Sequence, residues 1–160
     1  MQVQIGVQER AKGTDFYRKL QHIQPRFSFD GASSMLPIPA GEAVMLIISY
    51  DTKAKFVENR DSYKVLSTET IPVPAATSGV RRLFSFAPSD VVFDGYRDSS
   101  NVGGDAYKYY IFALRDTESK TIIDFETNCQ PLANLCKTTP AKRDEILSLA
   151  RNAKFPTAFK

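Results

Sequence analysis

The pattern of apolar and polar residues predicts a chain built mostly of short β-strands. Residues 43–51 are apolar on both faces, which is typical of a central strand, and residues 106–115 give the strongest strand pattern. Residues 121–125 follow after a turn, so these last two segments predict a hairpin. Weaker or alternating patterns predict further strands at residues 2–8, 26–30, 63–73, 80–86 and 91–93.

Two other segments depart from the strand pattern. Residues 14–23 carry apolar side chains at helix-like spacing, which predicts one short helix or a loop that packs down. Thr139 followed by Pro140 is a helix start signal, with Asp144 and Glu145 near the positive end of the dipole. We therefore expect a helix over residues 140–153. Pro37 and Pro39 make residues 35–41 an extended edge segment.

Together these elements predict a mainly β fold. Seven to nine short strands separated by proline and glycine are typical of a β-sandwich. We expect one domain over residues 1–160, with the helix of residues 140–153 packed on it. A chain of 160 residues is long enough to bury a full core.

Composition and charge exclude several classes of protein. The net charge of +3 is small and the basic residues are scattered, so the chain lacks the basic stripe of a nucleic-acid-binding protein. The longest apolar run, residues 43–48, is too short to span a membrane. The first residues alternate like a strand and do not form a signal peptide.

Cys129 and Cys136 are the only cysteines, and they follow the most strand-rich part of the chain. Such an isolated close pair predicts a disulfide that closes a small loop, and so an extracytoplasmic protein of the periplasm or cell surface. In that case the signal sequence has been removed and Met1 is not the natural start. If Met1 is natural, the cytoplasm is favoured and the cysteines are two buried thiols.

The inventory of reactive side chains argues against an enzyme. His22 is the only histidine, so most hydrolase triads and zinc sites would require it, and it lies in no nucleophile motif. Paired carboxylates could serve a glycosidase, but no local motif selects a pair. We expect no enzyme activity, no cofactor, and a surface or hydrogen-bonded His22.

The polar loop of residues 94–105 is the one weak candidate for a metal site. Oxygen ligands with glycines can hold Ca²⁺, although the spacing does not fit an EF-hand. Turn chemistry alone also explains these residues, and a plain connecting loop is the favoured interpretation. The candidate ligands are Asp94, Asp98, Asn101 and Asp105.

Tyr96, Tyr107 and Tyr109 are the candidate contacts with a partner or ligand. On the predicted strand of residues 106–115, Tyr107, Tyr109, Ile111 and Ala113 would share one face. Such a strand is either covered on both faces or exposes an aromatic face to a partner. Tyrosines on an exposed face could also stack on sugars.

The apolar strand of residues 43–50, the Tyr/Phe-rich hairpin and the cysteine pair resemble extracytoplasmic immunoglobulin-like sandwiches. The pattern is similar in kind to small Ig-like proteins of surface filaments, including type IV pilus-associated proteins. The chain lacks the tryptophan of antibody domains, its cysteines are too close for their inter-sheet bridge, and the apolar N-terminal helix of pilins is missing. The resemblance implies an assembly or adhesion role through exposed edges or loops, without catalytic residues.

The sequence therefore predicts a non-enzymatic structural or protein-interaction module of a bacterial surface assembly, with other assembly proteins as partners. An edge strand or the aromatic face would accept the partner. Two alternatives stay open. A carbohydrate-binding module would expose Tyr96 and Tyr107 along a shallow groove, and a secreted inhibitor or immunity protein would use a protruding loop.

Overall fold

The computed structural model describes residues 1–29, 40–75 and 81–159. Within these ranges the chain is mainly β, with two antiparallel sheets and three short helices. The elements in chain order are β1 (Gln2–Lys12), β2 (Asp15–Phe29), β3 (Gly41–Asp51), α1 (Thr52–Phe56), β4 (Tyr63–Val73), β5 (Arg82–Ser85), β6 (Ser89–Asp94), β7 (Asp105–Asp116), β8 (Ile122–Thr127), α2 (Gln130–Thr138), α3 (Pro140–Leu147) and β9 (Lys154–Phe155).

Sheet 1 is built around the long strand β2. Its partner on one side is β1, in an unbroken antiparallel register from Gln2↔Ser28 to Ala11↔Lys19. On the other side β2 pairs with β5 near its end and with β6 further back. In the described part of the chain β1 is therefore a terminal strand of this sheet.

Sheet 2 has the strand order β8-β7-β3-β4-β9. Two of its three interior strands, β3 and β7, are the segments that the sequence predicted most strongly, and β7 with β8 forms the predicted hairpin. A bulge in the β3–β7 ladder pairs Ser49 with Tyr107 and Ile48 with Tyr109, which leaves Lys108 as the extra residue. Tyr107 and Tyr109 therefore lie on opposite faces, and the prediction that they share one face is wrong.

The facing surfaces of the two sheets form one apolar core. Sheet 1 supplies Ile23, Phe27 and Phe29, which are buried against side chains of β3, β4 and β7. Phe27 is central to this core, because its ring packs against Phe84, Phe86 and Phe112. Aromatic packing of this kind stabilises the contact beyond the burial of area alone.

A second core covers the other face of sheet 2. Leu132 and Cys136 of α2, with Ile146 and Leu147 of α3, pack on alternate residues of β3 and β7 and on Phe155. Both faces of β7 are therefore covered. Of the two arrangements that the sequence allowed, the strand is the one buried on both faces and does not expose an aromatic face to a partner. The helix predicted for residues 140–153 is observed over Pro140–Leu147, and β9 follows it.

The helix-like segment of residues 14–23 is a strand. Asp15–Phe29 is one continuous strand because it has a pairing partner on each side. Residues 26–29 of the predicted strand 26–30 form the end of the same β2, and residue 30 lies outside the described residues. Residues 35–39 of the proline-containing edge segment lie outside the described residues.

Candidate interaction site

Among the described strands, the outer side of β1 is an unpaired sheet edge. We call the backbone of residues 2–8 that faces away from β2 the open edge. No described strand pairs with it, whereas β2 pairs along the inner side of β1 over the same residues. Unpaired N–H and C=O groups along an edge form a template for another strand.

The orientation of the backbone in β1 follows from hydrogen bonds made by β2. The N–H of Phe86 donates to the carbonyl of Pro25 at 3.0 Å, and the N–H of Gly95 donates to the carbonyl of Tyr17 at 2.7 Å. The backbone N–H and C=O groups of the odd-numbered residues of β2 therefore point away from β1. Because Pro25 lies opposite Ile5, the N–H and C=O of Ile5 point outward, into the open edge.

The same alternation extends along β1. Val3 and Val7 lie two residues on either side of Ile5, so their N–H and C=O groups also face outward, while those of Gln4 and Gly6 face β2. This arrangement also explains Pro25 inside a sheet. Its missing N–H would face the turn between β5 and β6, where no ladder partner is required.

The side chains of β1 leave the open edge accessible. Val3 and Ile5 pack at the margin of the core between the sheets, and the side chain of Val7 is 38% exposed. Natural edge strands are usually protected by charges, proline or a bulge. Residues 2–8 have none of these, and the charges and the bulge begin only at the far end of β1, in Glu9, Arg10 and the shift at Ala11/Lys12.

His22 lies on β2 directly opposite Asp90 of β6. Its Nδ1 is 2.6 Å from the Asp90 carboxylate, and both side chains are exposed. This is a cross-strand pair on the surface of sheet 1. The expectation of a hydrogen-bonded surface histidine is confirmed, and the pair holds β6 to β2 at the side opposite the open edge.

The predicted disulfide is wrong, because both cysteines are free thiols. Cys129 is the residue before α2 and Cys136 lies inside it, so a helix separates them by about 10 Å along its axis. A disulfide requires Cα atoms within about 7 Å. Cys136 is buried against sheet 2, and this burial raises the pKa of its thiol. Because the two cysteines are not bonded to each other, they give no support to the prediction of an extracytoplasmic protein.

The three candidate tyrosines do not form one surface. Tyr109 is only 5% exposed and lies in the core under the helices, where burial raises the pKa of its hydroxyl far above the ordinary value. Tyr107 packs at the core between the sheets, and its hydroxyl accepts a hydrogen bond from Asn128 at 3.3 Å. Tyr96 lies in the loop after β6, against the ring of Tyr17 at 3.8 Å between centroids.

The oxygens of the candidate Ca²⁺ loop are occupied by hydrogen bonds from the loop itself. The Asp94 carboxylate accepts from the N–H groups of Tyr96 and Val102, each at 2.9 Å. The buried Asn101 bonds the backbone on both sides, with its amide donating to Asp94 and its oxygen accepting from Gly103. The loop is thus closed by turn chemistry rather than arranged around a cation.

The other two candidate ligands are also engaged. Asp98 accepts from the N–H and hydroxyl of Ser100, which lowers the pKa of its carboxyl, and Asp105 pairs with Lys64 at 2.8 Å. Across the described residues, no group of three or more His, Cys, Asp or Glu side chains is placed to hold a metal ion.

A cleft of about 580 Å³ lies between β4 and the turn that joins β5 to β6. Four of its five charged side chains are held by neighbours. Lys64 is paired with Asp105, Asp90 is paired with His22, and the carboxylate of Glu69 accepts the N–H of Ala87 at 2.7 Å. The fifth, Arg151, also lines the cleft.

The sequence patterns placed the functional residues on the aromatic strand and the polar loop, and did not single out residues 2–8. Their alternation predicted a half-buried strand correctly, but it carried no information on which strand would be terminal. The lack of charge, proline and bulge in residues 2–8 was the available signal. In the described part of the chain, every helix is too short or too polar to cross a bilayer.

Comparisons with protein-family models, with curated proteins and with solved structures found no match.

Proposed function

We propose that this protein is a non-enzymatic protein-interaction module that accepts a β-strand at the open edge. The single observation that carries the proposal is the outward-facing backbone of Val3, Ile5 and Val7 on a terminal strand with no protecting device over residues 2–8. Main-chain hydrogen bonds give affinity in strand addition, and alternate side chains give specificity.

The location of the edge supports this function. The inner side of β1 is held by β2, which is itself anchored in the core by Ile23, Phe27 and Phe29. A strand that binds outside β1 would extend sheet 1 without disturbing that core. It would also cover the exposed side chain of Val7, whose removal from water favours binding.

The Ig-like sandwich topology and the role in a bacterial surface assembly, of the pilus-associated kind, belong to the same proposal. The packing of two antiparallel sheets on one core supports a sandwich. Strand addition at an open edge is a contact by which protein subunits assemble. Export stays a prediction without the support of the disulfide.

Site-specific photo-crosslinking in the host cell tests the proposal. A photoreactive residue in place of Gln4, beside the open edge, should give discrete protein adducts. The same residue in place of the exposed Glu118, in the turn between β7 and β8, is the matched control. Val7→Lys should abolish the adducts at position 4, because a charge on an edge blocks strand addition. Equal adducts at both positions, or adducts that survive Val7→Lys, would contradict the proposal.

One observation favours carbohydrate binding as a second candidate function. Tyr17 and Tyr96 are both exposed and their rings are in contact, which is the kind of aromatic surface on which sugars stack. The groove of Tyr96 and Tyr107 expected from the sequence is not formed, since Tyr107 packs between the sheets. Saturable binding on a glycan array that is lost in Tyr96→Ala and kept in Leu83→Ala would establish this function, and no saturable binding would remove it.

A further inference from the structure

The sequence of the open edge is nearly symmetric about Ile5. Reading outward from Ile5, the flanking residues are Gln4 and Gly6, then Val3 and Val7, then Gln2 and Gln8. Only the first of these three pairs differs. An antiparallel strand pair reads one strand in the opposite direction to the other, so a symmetric strand is complementary to its own copy.

We propose that the open edge pairs with the open edge of a second copy of this chain, antiparallel, with Ile5 opposite Ile5. This inference rests on the proposed function and names its partner. In this register Val3 of each copy lies opposite Val7 of the other. The product is a two-fold dimer in which sheet 1 continues from one copy into the next.

The backbone geometry fits this register without adjustment. The residues that would exchange hydrogen bonds are Val3, Ile5 and Val7, and these are the residues whose N–H and C=O groups face outward. Each facing pair exchanges two bonds in an antiparallel ladder, so the interface contains about six. A register shifted by one residue would oppose outward groups to inward ones and lose these bonds.

The side chains fit as well. Val3, Ile5 and Val7 lie on the face of sheet 1 that turns toward the core, so the dimer joins the two sets into one apolar strip. The other face brings Gln2 of one copy opposite Gln8 of its partner copy, two amides that can hydrogen-bond.

The symmetric register also explains where the edge protection of β1 begins. With Ile5 at the centre, residues 2–8 of one copy pair with residues 2–8 of the other. Arg10, Lys12 and the bulge at Ala11/Lys12 then project beyond the paired segment and stay in water. The charges limit pairing to the symmetric segment, which disfavours longer or shifted pairings.

Sedimentation equilibrium of the full chain tests association. The apparent mass should rise with concentration from 17.9 kDa toward twice that value. Val7→Lys should raise the dissociation constant by about tenfold or more, because it places two ammonium groups in the shared apolar strip. Leu83→Lys is the matched control, since Leu83 is an apolar residue of sheet 1 that is 64% exposed and is separated from the open edge by β2. It should leave the dissociation constant unchanged.

Cysteine crosslinking tests the register. In a Cys129→Ser background, Ile5→Cys places two thiols across the two-fold axis, with Cα atoms about 5.5 Å apart, within disulfide range. Gln4→Cys places them at the diagonal, about 8 Å apart, beyond that range. Mild oxidation should therefore convert Ile5→Cys to a covalent dimer several times faster than Gln4→Cys. Circular dichroism melting of each variant separates loss of pairing from loss of folding.

The outcomes distinguish this inference from the proposed function. A chain that stays monomeric at all concentrations, or equal crosslinking at positions 4 and 5, overturns self-pairing. If such a monomer still forms photo-adducts at position 4 with a different protein, the strand-accepting function stands and only the identity of the partner is wrong. Dimerisation that Val7→Lys leaves intact also overturns the inference, because it places the interface elsewhere.

Discussion

The two sheets of this protein differ in how they are covered. Sheet 2 is enclosed on its faces, with the inter-sheet core on one and α2 and α3 on the other, and its terminal strand β8 carries the charges of Asp124 and Glu126. Sheet 1 contributes one face to the core and ends in β1, whose outer side pairs with no other strand in the described ranges. In our proposal, the enclosed sheet provides the stable frame and the open edge provides the surface for a partner. Changes to sheet 2 should therefore alter stability, and changes to the open edge should alter association.

The largest effect is expected in the core between the sheets. Phe112 of β7 is fully buried and packs against Phe27. Phe112→Ala should lower the free energy of unfolding by about 3–5 kcal/mol, because it removes a large apolar side chain and leaves a cavity. Chemical denaturation measures the loss. Leu83→Ala, at an exposed position, should change it by less than about 0.5 kcal/mol. Similar losses of unfolding free energy in both variants would contradict the distinction between the buried core position and the exposed one.

The helical cover of sheet 2 should give the next largest effect. Leu132 of α2 is fully buried against sheet 2. Leu132→Ala should cost about 2–4 kcal/mol and speed amide exchange throughout α2, since this side chain anchors the helix. Hydrogen exchange read by mass spectrometry detects both changes. Unchanged exchange in α2 would show that the second core contributes little to the frame.

An ion pair in each sheet allows a matched comparison. Glu42 of β3, 14% exposed, bonds Lys120 at 2.7 Å and Arg115 at 2.6 Å, and these bonds lower the pKa of its carboxyl. Glu42→Gln should cost about 1–2 kcal/mol at neutral pH, while Asp90→Asn, in the exposed pair with His22, should cost less than about 0.5 kcal/mol.

The pH dependence of Glu42 has a defined sign. Because the pKa is lowered in the folded state, the stabilisation is fully present above the ordinary value of about 4.3 and is lost as the pH falls through the lower folded value. Urea unfolding between pH 6 and pH 3 should therefore show a shallower acid loss in Glu42→Gln than in the unsubstituted chain. Parallel curves of unfolding free energy against pH would show that the lowered pKa of Glu42 does not contribute to stability.

The smallest effect is expected from reductant. With both thiols free, dithiothreitol should leave the melting temperature unchanged, and a thiol reagent should titrate two groups after denaturation. In the folded state Cys136 should react much more slowly than Cys129, because it is buried and its pKa is raised. A melting temperature that falls in reductant would show instead that the two cysteines form a disulfide.

The strands of sheet 2 were predictable because burial on both faces leaves a continuous apolar run, as in β3 and β7. The period-two pattern of β2 was obscured by two of its inward residues. Gln21 is buried because its side-chain oxygen accepts the N–H of Tyr107 at 2.8 Å, and Pro25 is tolerated because its carbonyl alone is needed. Neither reason can be read from the local sequence.

The wrong prediction of a disulfide-closed loop between Cys129 and Cys136, where the structure has α2, has a different cause. Pro131 near the helix start and the spacing of Leu132 and Cys136 were helix signals, but the two cysteines favoured a closed loop. The identity of the candidate site was equally hidden. Which strand ends a sheet depends on pairings between distant segments, and the orientation of Ile5 follows from a hydrogen bond between Phe86 and Pro25.

Residue-resolved amide exchange along β1 tests the central claim most directly. We expect the amides of Val3, Ile5 and Val7 to exchange rapidly in dilute solution and those of Gln4 and Gly6 to be protected by β2. At high concentration the three outward amides should become protected together, while the core strand β3 exchanges slowest under both conditions. Two results would contradict the account, which requires a rigid open edge on an enclosed frame. One is uniform exchange of all amides along β1. The other is outward amides that stay unprotected at every concentration while the amides of Gln4 and Gly6 lose their protection.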